Sequence, residues 1–382
     1  MADSIIRRTY KFRIYPSKAQ TLDLQQQLAE GCRLYNAALR ERKDAYRLNR
    51  VSLNYYTQAN QLKDIRANGD LALANFSCCQ DILRRVDKTF KAFFRRVKAG
   101  QKAGFPRFRS IRRFDTITFP SYGDGIKLTD KLRIQGVGLV KVKLHRPIDG
   151  KIKTVSIKRE GSKWYACFSV ETKPEPLPRT DQAIGIDVGI ESFATLSDGT
   201  HIDNWKYYES EQKRLRVAQR RVTRRKKGSN RRRKAVAQLR NIHQKIFNRR
   251  NDFQHKLSTD LVRNYDLIAV EKLNILGMSK GILSKQIHDA SWSSFFQKLR
   301  FKAECAGKQL IEVDPRGTSQ RCTCGVTVKK DLSVRWHHCF SCGYQNHRDI
   351  VSAQNILSLG LSDNGSKYQV ADRLPLEAVC FS

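Results

Sequence analysis

The sequence predicts a multidomain protein in which a small β-barrel, interrupted by helices, precedes an α/β domain. Three observations lead to this prediction. Apolar and basic residues alternate in two separate stretches, 1–16 and 104–175, while the residues between them follow a helical pattern. A proline-rich stretch, residues 173–178, forms a stiff linker, and a new apolar strand follows it. A chain of 382 residues is long enough for two or three folding units.

The first strand is predicted from residues of alternating character near the N-terminus. Tyr10, Phe12 and Ile14 are apolar, and Lys11 and Arg13 lie between them. A period of two places the apolar side chains on one face of a strand and the basic side chains on the other. We therefore predict a half-buried strand whose exposed face is basic.

The helices predicted after this strand interrupt the β-structure. Apolar residues recur at helical spacing between residues 19 and 98, and the segment 104–109 breaks that pattern. Further alternating strands follow, including a hairpin in residues 154–171 with a glycine-containing turn. The simplest assembly is a β-barrel made of residues 1–16 and 104–175 with the helices inserted into it. A plain α+β domain is the alternative.

The composition is strongly basic. Lys and Arg number 73 against 36 Asp and Glu, which gives a formal net charge of +37 and a pI near 10.1. Such an excess repels itself unless a polyanion neutralises it, so nucleic acid is the expected partner. No apolar run approaches the length of a membrane span, and the first 15 residues lack the apolar core of a signal peptide. We therefore expect a reducing cytoplasm and no membrane partner.

Residues 206–262 are predicted to form a pair of strongly basic helices. Each helix has one apolar stripe and carries Arg and Lys on its other faces. A charge run can simply be a solvated face, but the basic clusters beside the turn between these helices favour contact with phosphates. The predicted nucleic-acid contacts along the whole chain are Lys11, Arg13, Arg107, Arg109, Arg224, Arg225, Lys226, Lys227, Arg231, Arg232 and Arg233.

Three carboxylates stand on separate elements that could converge. Asp187 shares a strand face with Gly185 and Gly189, whose lack of side chains would let a metal and a phosphate backbone come close. Glu271 ends an apolar strand, and ligand sites gather at the carboxyl ends of strands in α/β sheets. Asp349 lies at or near the first turn of an amphipathic helix.

Each acid alone has a structural explanation, as a turn residue, a strand-end surface residue or a helix N-cap. Together they suit hydrolysis of a phosphodiester, which needs hard cations held by oxygen ligands. Two metal ions about 4 Å apart would activate the attacking water and stabilise the leaving oxygen. We therefore predict that the chain is a metal-dependent nuclease, with Asp187, Glu271 and Asp349 as a catalytic carboxylate cluster that binds Mg²⁺.

Four of the ten cysteines are clustered. Cys322 and Cys324, and then Cys339 and Cys342, lie in two glycine-containing turns, an arrangement that suits a tetrahedral Zn²⁺ in a ribbon. The first pair has the spacing C-x-C rather than C-x-x-C, so one of the two histidines just before Cys339 could replace a thiol. We predict one structural zinc ion, because all four ligand positions are filled. The scattered cysteines are expected to be small buried hydrophobes.

Eight short segments, spread along nearly the whole chain, matter for their conjunction in this order. They are residues 10–16 (YKFRIYP), 35–36 (YN), 90–94 (FKAFF), 104–108 (GFPRF), 185–189 (GIDVG), 270–273 (VEKL), 318–320 (TSQ) and 347–349 (HRD). In this conjunction the chain resembles the TnpB family, the compact RNA-guided DNA endonucleases of bacterial insertion sequences that are related to the type V CRISPR effectors. By position, the resemblance implies that the three acids are catalytic and that the four clustered cysteines bind zinc.

The resemblance also implies the fold of each part. A RuvC-type, RNase H-like nuclease domain would contain a zinc ribbon, and a wedge β-barrel would contain an inserted helical recognition domain. The implied boundaries are 1–16 and 104–178 for the wedge barrel, 17–103 for the recognition domain, 179–318 and 346–361 for the nuclease domain, 319–345 for the zinc ribbon, and 362–382 for a loose C-terminal tail or peripheral contact.

The implied partners are a guide RNA encoded by the same element, with one protein per RNA, and a double-stranded target DNA that carries a short flanking motif. Base pairing would read the target while the protein holds the heteroduplex by its shape and backbone. The implied location is the bacterial cytoplasm, in association with the nucleoid. Three other functions stay open: an RNA-guided repressor that lacks cleavage, a transposase or transposition accessory protein that joins ends, and an RNA-binding protein with a zinc ribbon.

Overall fold

The structure is a computed structural model that describes residues 5–69, 71–331, 334–362 and 369–370. Contacts divide the chain into two compact units, Met1–Lys173 and Pro174–Ser382. Each unit has its own β-sheet and its own hydrophobic core. Cys380 and most of the predicted C-terminal tail lie outside the described residues.

The described part of unit 1 contains seven strands and four helices. The strands are β1 (Ile6–Tyr15), β2 (Thr116–Phe119), β3 (Ile126–Leu128), β4 (Leu132–Ile134), β5 (Gly138–Lys143), β6 (Lys151–Glu160) and β7 (Lys163–Thr172). The helices are α1 (Lys18–Asn49), α2 (Tyr55–Asn60), α3 (Leu62–Ala67) and α4 (Phe76–Lys98). All four helices lie between β1 and β2 in the chain, so the helical segment interrupts a single sheet.

The sheet of unit 1 is antiparallel, with the strand order β2-β6-β7-β1-β5-β4-β3. Strand β1 lies near its centre and pairs with β7 along most of its length. The end strands β2 and β3 are not paired with each other in the residues described, so the sheet is a near-barrel rather than a fully closed barrel. Alternation in the sequence shows which side chains face inward, but it does not show whether the edge strands meet.

The burial pattern of β1 follows the predicted alternation. Tyr10, Phe12 and Ile14 are buried in one cluster together with apolar side chains of α1 and α4. Helix α1 begins directly after the strand because Ser17 and Gln20 form a capping box, in which each side chain bonds to the other's backbone N–H group. The helices therefore cover the apolar side of the sheet.

The described part of unit 2 contains eight strands and seven helices. The strands are β8 (Gln182–Asp187), β9 (Ser192–Leu196), β10 (His201–Asp203), β11 (Leu267–Glu271), β12 (Gln309–Val313), β13 (Trp336–His338), β14 (Gln345–His347) and β15 (Gln369–Val370). The helices are α5 (Tyr207–Ser210), α6 (Gln212–Thr223), α7 (Asn230–Asn264), α8 (Ile275–Met278), α9 (Ser284–Ala290), α10 (Trp292–Ala306) and α11 (Arg348–Ser362).

The main sheet of unit 2 is mixed and has helices on both faces. Its strand order is β10-β9-β8-β11-β12, with β8, β11 and β12 parallel. Side chains of β8 and β11 pack on α7 and α10 on one face, and on α11 on the other. The separate hairpin of β13 and β14 leads directly into α11. This three-layer arrangement fixes the site described below.

Strand β15 lies within the predicted C-terminal tail. Gln369 and Val370 pair in parallel with Gln182 and Ala183 of β8. The loose tail or peripheral contact expected over residues 362–382 stays a prediction, because most of that segment lies outside the described residues. A strand of two residues is too short to leave a periodic signal in the sequence.

Candidate active site

Two parallel strands bring carboxylates to the same edge of the sheet. Asp187 is the last residue of β8, and Glu271 is the last residue of β11. The strands are paired with Ile186 opposite Val270, so the two acids follow directly on neighbouring strands. Ligand sites gather at such carboxyl ends in α/β sheets.

Helix α11 brings the third acid to this edge. Asp349 lies in the first turn of α11. The side chain of Ser352, one turn further along, forms a hydrogen bond with Asp187. The N-terminal end of α11 therefore lies at the carboxyl end of β8, where the helix dipole favours negative charge.

Gly185 allows α11 to approach β8 closely. A β-carbon added at Gly185 would overlap the carbonyl oxygen of Ala353 and would lie 2.8 Å from the β-carbon of Leu357. The hypothesis that Gly185 leaves a face open to a metal and a phosphate backbone is therefore wrong, because α11 covers that face. Alternation along β8 distinguishes two faces, but it does not reveal that helices cover both of them.

The three carboxylates are close enough to affect ionisation. Burial, followed by the charges of Glu271 and Asp349, raises the pKa of Asp187 well above its usual value. Burial also raises the pKa of Glu271, and a hydrogen bond from Thr318 partly opposes this effect. Acids that resist ionising together are stabilised as carboxylates by a cation between them. The electrostatics of the site therefore suit a metal ion.

The three carboxylates interact electrostatically, since the charges of Glu271 and Asp349 both act on Asp187. Among the described residues, the four clustered cysteines form a separate group whose ligand atoms all lie within 4.8 Å of one another. The acids and the thiols are therefore two distinct candidate metal sites.

Two polar side chains hold Glu271 in place. The hydroxyl of Thr318 donates a hydrogen bond to Oε1 of Glu271. The side-chain amide of Asn355, on α11, donates to the backbone carbonyls of Thr318 and Arg321, each at 2.8 Å. The helix that carries Asp349 therefore also fixes the loop that positions Glu271.

Arg335 lies beside the third acid. Its guanidinium is 3.8 Å from the carboxylate of Asp349 and 3.2 Å from that of Glu191, and about half of its side chain is exposed. The backbone N–H of Arg348 donates to the carbonyl of Arg335 at 2.8 Å. The segment that contains Arg335 is thus attached to the start of α11.

The four clustered cysteines meet in unit 2. Their sulfur atoms lie within 4.8 Å of one another, which fits a tetrahedral zinc site in a ribbon. Gly325 and Gly343 adopt positive φ values of 93° and 71° in the two turns, which a residue with a side chain would rarely adopt. Backbone N–H groups of Cys342 and Ser341 lower the pKa of Cys339, whereas hydrogen bonds with the neighbouring thiols outweigh the backbone N–H of Tyr344 and raise the pKa of Cys342. The thiols therefore share protons as one coupled group.

The neighbouring histidines are not part of this cluster. His337 is buried and its Nδ1 contacts the side-chain nitrogen of Lys330. The side chain of His338 packs against the exposed ring of Phe340. The shortened C-x-C spacing therefore still brings four thiols together, and neither histidine takes the place of one of them.

The predicted nucleic-acid contacts of unit 1 differ in whether their side chains already have partners within the protein. Lys11 forms an ion pair with Glu160 at 2.6 Å and lies over the ring of Tyr165. Arg13 lies over the same ring, and the guanidinium of Arg109 lies over another tyrosine. Arg107 is exposed, and among the described contacts none occupies its side chain. Three of these four cations are therefore held by partners within the protein.

In unit 2, one of the predicted contacts has a structural role. Arg232 donates hydrogen bonds to the carbonyls of Val222 and Arg225, at 2.8 and 3.2 Å, and so completes the C-terminal end of α6. The other predicted contacts here are exposed: Arg224, Arg225, Lys226, Lys227, Arg231 and Arg233. Within this basic stretch of sequence, one arginine is therefore already hydrogen-bonded to backbone carbonyls.

Comparison with known proteins decides the family. The chain is 31% identical over 375 residues to a Streptomyces pristinaespiralis protein named "Putative RNA-guided DNA endonuclease", covering 94% of this chain and 90% of the relative. The chain belongs to the TnpB family. A second relative, "Putative RNA-guided DNA endonuclease InsQ" of Escherichia coli (strain K12), is 28% identical over 381 residues, with 92% of each chain covered. The resemblance stated above is thereby confirmed.

Family models cover three parts of this TnpB chain. Residues 166–281 match a model described as "Probable transposase", and residues 292–356 match "Cas12f1-like, TNB domain". Residues 1–50 match a "Helix-turn-helix domain", but the structure has strand β1 and the single long helix α1 there. A solved Cas12f1-sgRNA-target DNA complex contains a chain of similar fold, with a TM-score of 0.59, 13% identity, and coverage of 92% of this chain and 98% of the other.

Several residues of the site have little signal in the sequence. Ser352, Asn355 and Arg335 are ordinary polar residues whose importance depends on the packing of α11. Thr318 lies in one of the short TnpB-like segments, and that segment is its only signal. Regarding membranes, each helix in the described ranges is too short or too polar to cross one.

Proposed function

We propose that this TnpB chain is an RNA-guided DNA endonuclease of a bacterial insertion sequence, which cuts target DNA beside a short flanking motif. The observation that carries the proposal is the position of Asp187, Glu271 and Asp349 at one edge of the main sheet. The names of the two relatives that align over most of their length support the activity. We further propose that the site is of the RuvC type, in an RNase H-like domain.

The three acids would hold Mg²⁺, and two ions about 4 Å apart would suit the hydrolysis of a phosphodiester. When bound, the metal supplies charge stabilisation and lowers the pKa of a coordinated water. Oxygen-only ligands suit Mg²⁺, which prefers carboxylates and water to nitrogen or sulfur. The raised pKa values of Asp187 and Glu271 mean that metal binding would release protons.

The chain's own residues set the geometry for this chemistry. Ser352 orients Asp187, and Thr318 orients Glu271 through a hydrogen bond to one carboxylate oxygen. Among the described contacts, none involves the other oxygen of Glu271, which would be available to a ligand. Asp349 is placed by the first turn of α11, whose dipole adds a favourable field for the carboxylates. Hydrolysis needs such preorganised ligands more than it needs covalent chemistry.

A structural zinc ion in the cysteine cluster would stabilise the segment before α11. Residues 319–345 would form the ribbon, and residues 179–318 and 346–361 the nuclease domain around it. In unit 1, we propose a wedge domain of residues 1–16 and 104–178 and a helical recognition domain of residues 17–103. The near-barrel sheet and its inserted helices support that division.

The proposed partners are a guide RNA from the same element, one protein per RNA, and double-stranded target DNA. The net charge of +37 supports partners that are polyanions. Base pairing would select the target, so the protein needs only to recognise the heteroduplex by shape and the flanking motif directly. The bacterial cytoplasm, beside the nucleoid, is the location that these partners require.

Two alternative functions differ from this one in their products. A guided repressor would bind without cutting, and the presence of all three acids speaks against it. A transposase would use similar acids to join strands, and the description of one matching family model names that activity. Joined ends would indicate a transposase, broken ends an endonuclease, and intact DNA a repressor.

The test begins with the RNA that copurifies with the full-length protein. A plasmid that contains the matching target beside a randomised flanking sequence is incubated with the complex and Mg²⁺. We expect linearised DNA from the wild type and from Asp203→Asn, which changes an exposed acid in β10 of the same sheet. Asp187→Ala should bind RNA and DNA almost normally but should not cut. Undiminished cutting by Asp187→Ala would overturn the assigned site, and the absence of any defined RNA would overturn guidance.

A further inference from the structure

Four phenylalanine rings form a contiguous cluster in unit 1, at the end of α4 and in the coil that follows it. We call Phe90, Phe93, Phe94 and Phe105 the Phe cluster. The ring centroid of Phe105 lies 5.9 Å from that of Phe90 and 5.3 Å from that of Phe93, and Phe93 and Phe94 are 5.2 Å apart. The cluster joins two of the short sequence segments described above, FKAFF and GFPRF.

Two rings of this cluster face solvent. Phe94 is 60% exposed and Phe105 is 48% exposed, whereas Phe90 packs against the hydrophobic core of unit 1. Scattered exposed apolar residues are common, but adjacent aromatic rings held at a surface mark binding sites more often than chance contacts do. Both exposed rings pack against the partly buried rings of Phe90 and Phe93, so the cluster presents apolar ring faces and edges at the surface.

The sequence around the Phe cluster is strongly basic, and Asp87 just before it is already paired with Lys91 and Arg42. From position 88 to position 114 the sequence contains no acidic residue. Its basic residues are Lys88, Lys91, Arg95, Arg96, Lys98, Lys102, Arg107, Arg109, Arg112 and Arg113. A partner of this surface must combine negative charge with flat apolar faces. Nucleic acid with accessible bases has both properties.

The coil that carries Phe105 is held in place by unit 1 itself. The side chain of Asn36 bonds to both the backbone N–H and the carbonyl of Arg109, each at 2.8 Å. Phe114 is buried in the core a few residues later. Because the coil is fixed before any partner binds, less conformational entropy is lost on binding.

We propose that the Phe cluster is a stacking site for unpaired bases of the guide RNA. The proposal deepens the proposed function and rests on it for the identity of the RNA. RNA is favoured over target DNA because loops and bulges of RNA expose base faces, while the bases of duplex DNA are stacked inside the helix. The surrounding Arg and Lys side chains would contact the adjoining phosphates.

The experiment measures the affinity of the full-length protein for its copurifying RNA across a series of salt concentrations. Phe94→Ala combined with Phe105→Ala should weaken binding at least about tenfold, because stacking of each base contributes substantially. The dependence of affinity on salt should stay unchanged, since no phosphate contact is lost. Leu48→Ala, which removes a 68% exposed side chain of α1, is the matched control and should bind like the wild type.

Two further variants separate stacking from folding. Phe94→Tyr with Phe105→Trp keeps two aromatic faces and should restore affinity, and the new tryptophan fluorescence should be quenched by RNA. RNA that contains 4-thiouridine should crosslink to the Phe cluster, whereas 4-thiothymidine in the target DNA should not. Wild-type affinity in the double alanine variant, or crosslinks to DNA alone, would overturn the proposal. Binding and crosslinking need no cleavage, so failure of the nuclease assignment would be detected separately.

Discussion

Gly185 lies against the backbone of Ala353 so closely that a β-carbon would overlap the carbonyl oxygen. This contact sets the distance between β8 and α11, and hence the distance between Asp187 and the residues of α11 that face it. Gly185→Ala should push the helix away from the strand. We expect a loss of about 1–3 kcal/mol in the free energy of unfolding and a strong loss of cleavage.

The control for this substitution is Gly281→Ala in the same unit. An added β-carbon there meets its nearest atom at 3.7 Å, an ordinary contact, and Gly281 does not have a positive φ. Chemical denaturation of both variants would measure the difference. A Gly185→Ala protein as stable and active as Gly281→Ala would contradict the close packing.

Asp187 should make the stability of the metal-free protein depend on pH. The unfolded chain loses the proton of Asp187 near pH 4, whereas the raised pKa keeps the carboxyl protonated to a higher pH in the fold. The folded state therefore holds more protons in that window, and stability falls as pH rises through it. Asp187→Asn should raise the melting temperature of metal-free protein at pH 8 by roughly 3 °C or more, and by much less near pH 4.

Mg²⁺ should reverse the order of the two melting temperatures at pH 8, so that the wild type melts above Asp187→Asn. The ion stabilises the ionised wild-type site, so the wild type should gain melting temperature with Mg²⁺ at pH 8 while Asp187→Asn gains little. Asp203→Asn should follow the wild type throughout. Equal Mg²⁺ stabilisation of wild type and Asp187→Asn would show that the ion binds elsewhere.

The Thr318 hydroxyl should make Glu271 easier to ionise. Thr318→Val keeps the shape but removes the hydrogen bond that lowers the pKa of Glu271, so that pKa should rise further. Cleavage should fall about tenfold, and its acid limb should move to higher pH because Glu271 must be ionised to bind metal. Thr318→Ser keeps a hydroxyl and should retain the original profile. A pH–rate profile that is the same for both variants would argue against this role.

The cysteine cluster should hold one zinc ion per chain, measured by elemental analysis of purified protein. Cys324→Ser should lose the ion, since serine binds zinc poorly. Cleavage should fall as well, because the backbone of Arg348 is bonded to that of Arg335 within the same segment. Cys167→Ser, a half-buried thiol of β7, should keep full zinc content. Zinc retained by Cys324→Ser would exclude the four-thiol site.

Arg231 and Arg232 are adjacent, but their substitutions should change different properties: nucleic-acid binding for Arg231 and stability for Arg232. Arg232→Ala removes two hydrogen bonds at the end of α6 and should cost about 1 kcal/mol of stability. Arg231→Ala removes an exposed cation and should leave stability unchanged, while lowering the salt dependence of nucleic-acid binding by about one unit of slope. Thermal melts and salt titrations of both variants decide the point; identical behaviour would contradict the assignment.

Sequence patterns predicted the features that depend on residues lying close together in the sequence. The alternation around Phe12 predicted β1, and the apolar run before Glu271 predicted β11. The two cysteine turns predicted a group that the fold brings together. These signals survive because periodicity and ligand spacing are properties of neighbouring residues.

Other features depended on packing between distant elements and were not predictable in this way. Gly185 suggested an open face, yet a helix more than 150 positions later covers it. Arg232 suggested a phosphate contact, yet its side chain donates to two backbone carbonyls at and just beyond the end of α6. No periodic signal identifies Asn355, because its partners are single carbonyl oxygens in another segment.

Successive turns of helix α11 make different contacts. Asp349 belongs to the carboxylate cluster, and Ser352 bonds to Asp187. Asn355 bonds to the carbonyl of Thr318, and Leu357 packs against the strand beneath. One residue inserted among these positions would rotate all later side chains by about 100° and separate several contacts at once. The segment between the two cysteine turns can change in length without rotating this helix, provided that Arg335 keeps its backbone bond to Arg348. We therefore expect natural variation in length among relatives to accumulate between the two cysteine turns and to stop at the first residue of α11.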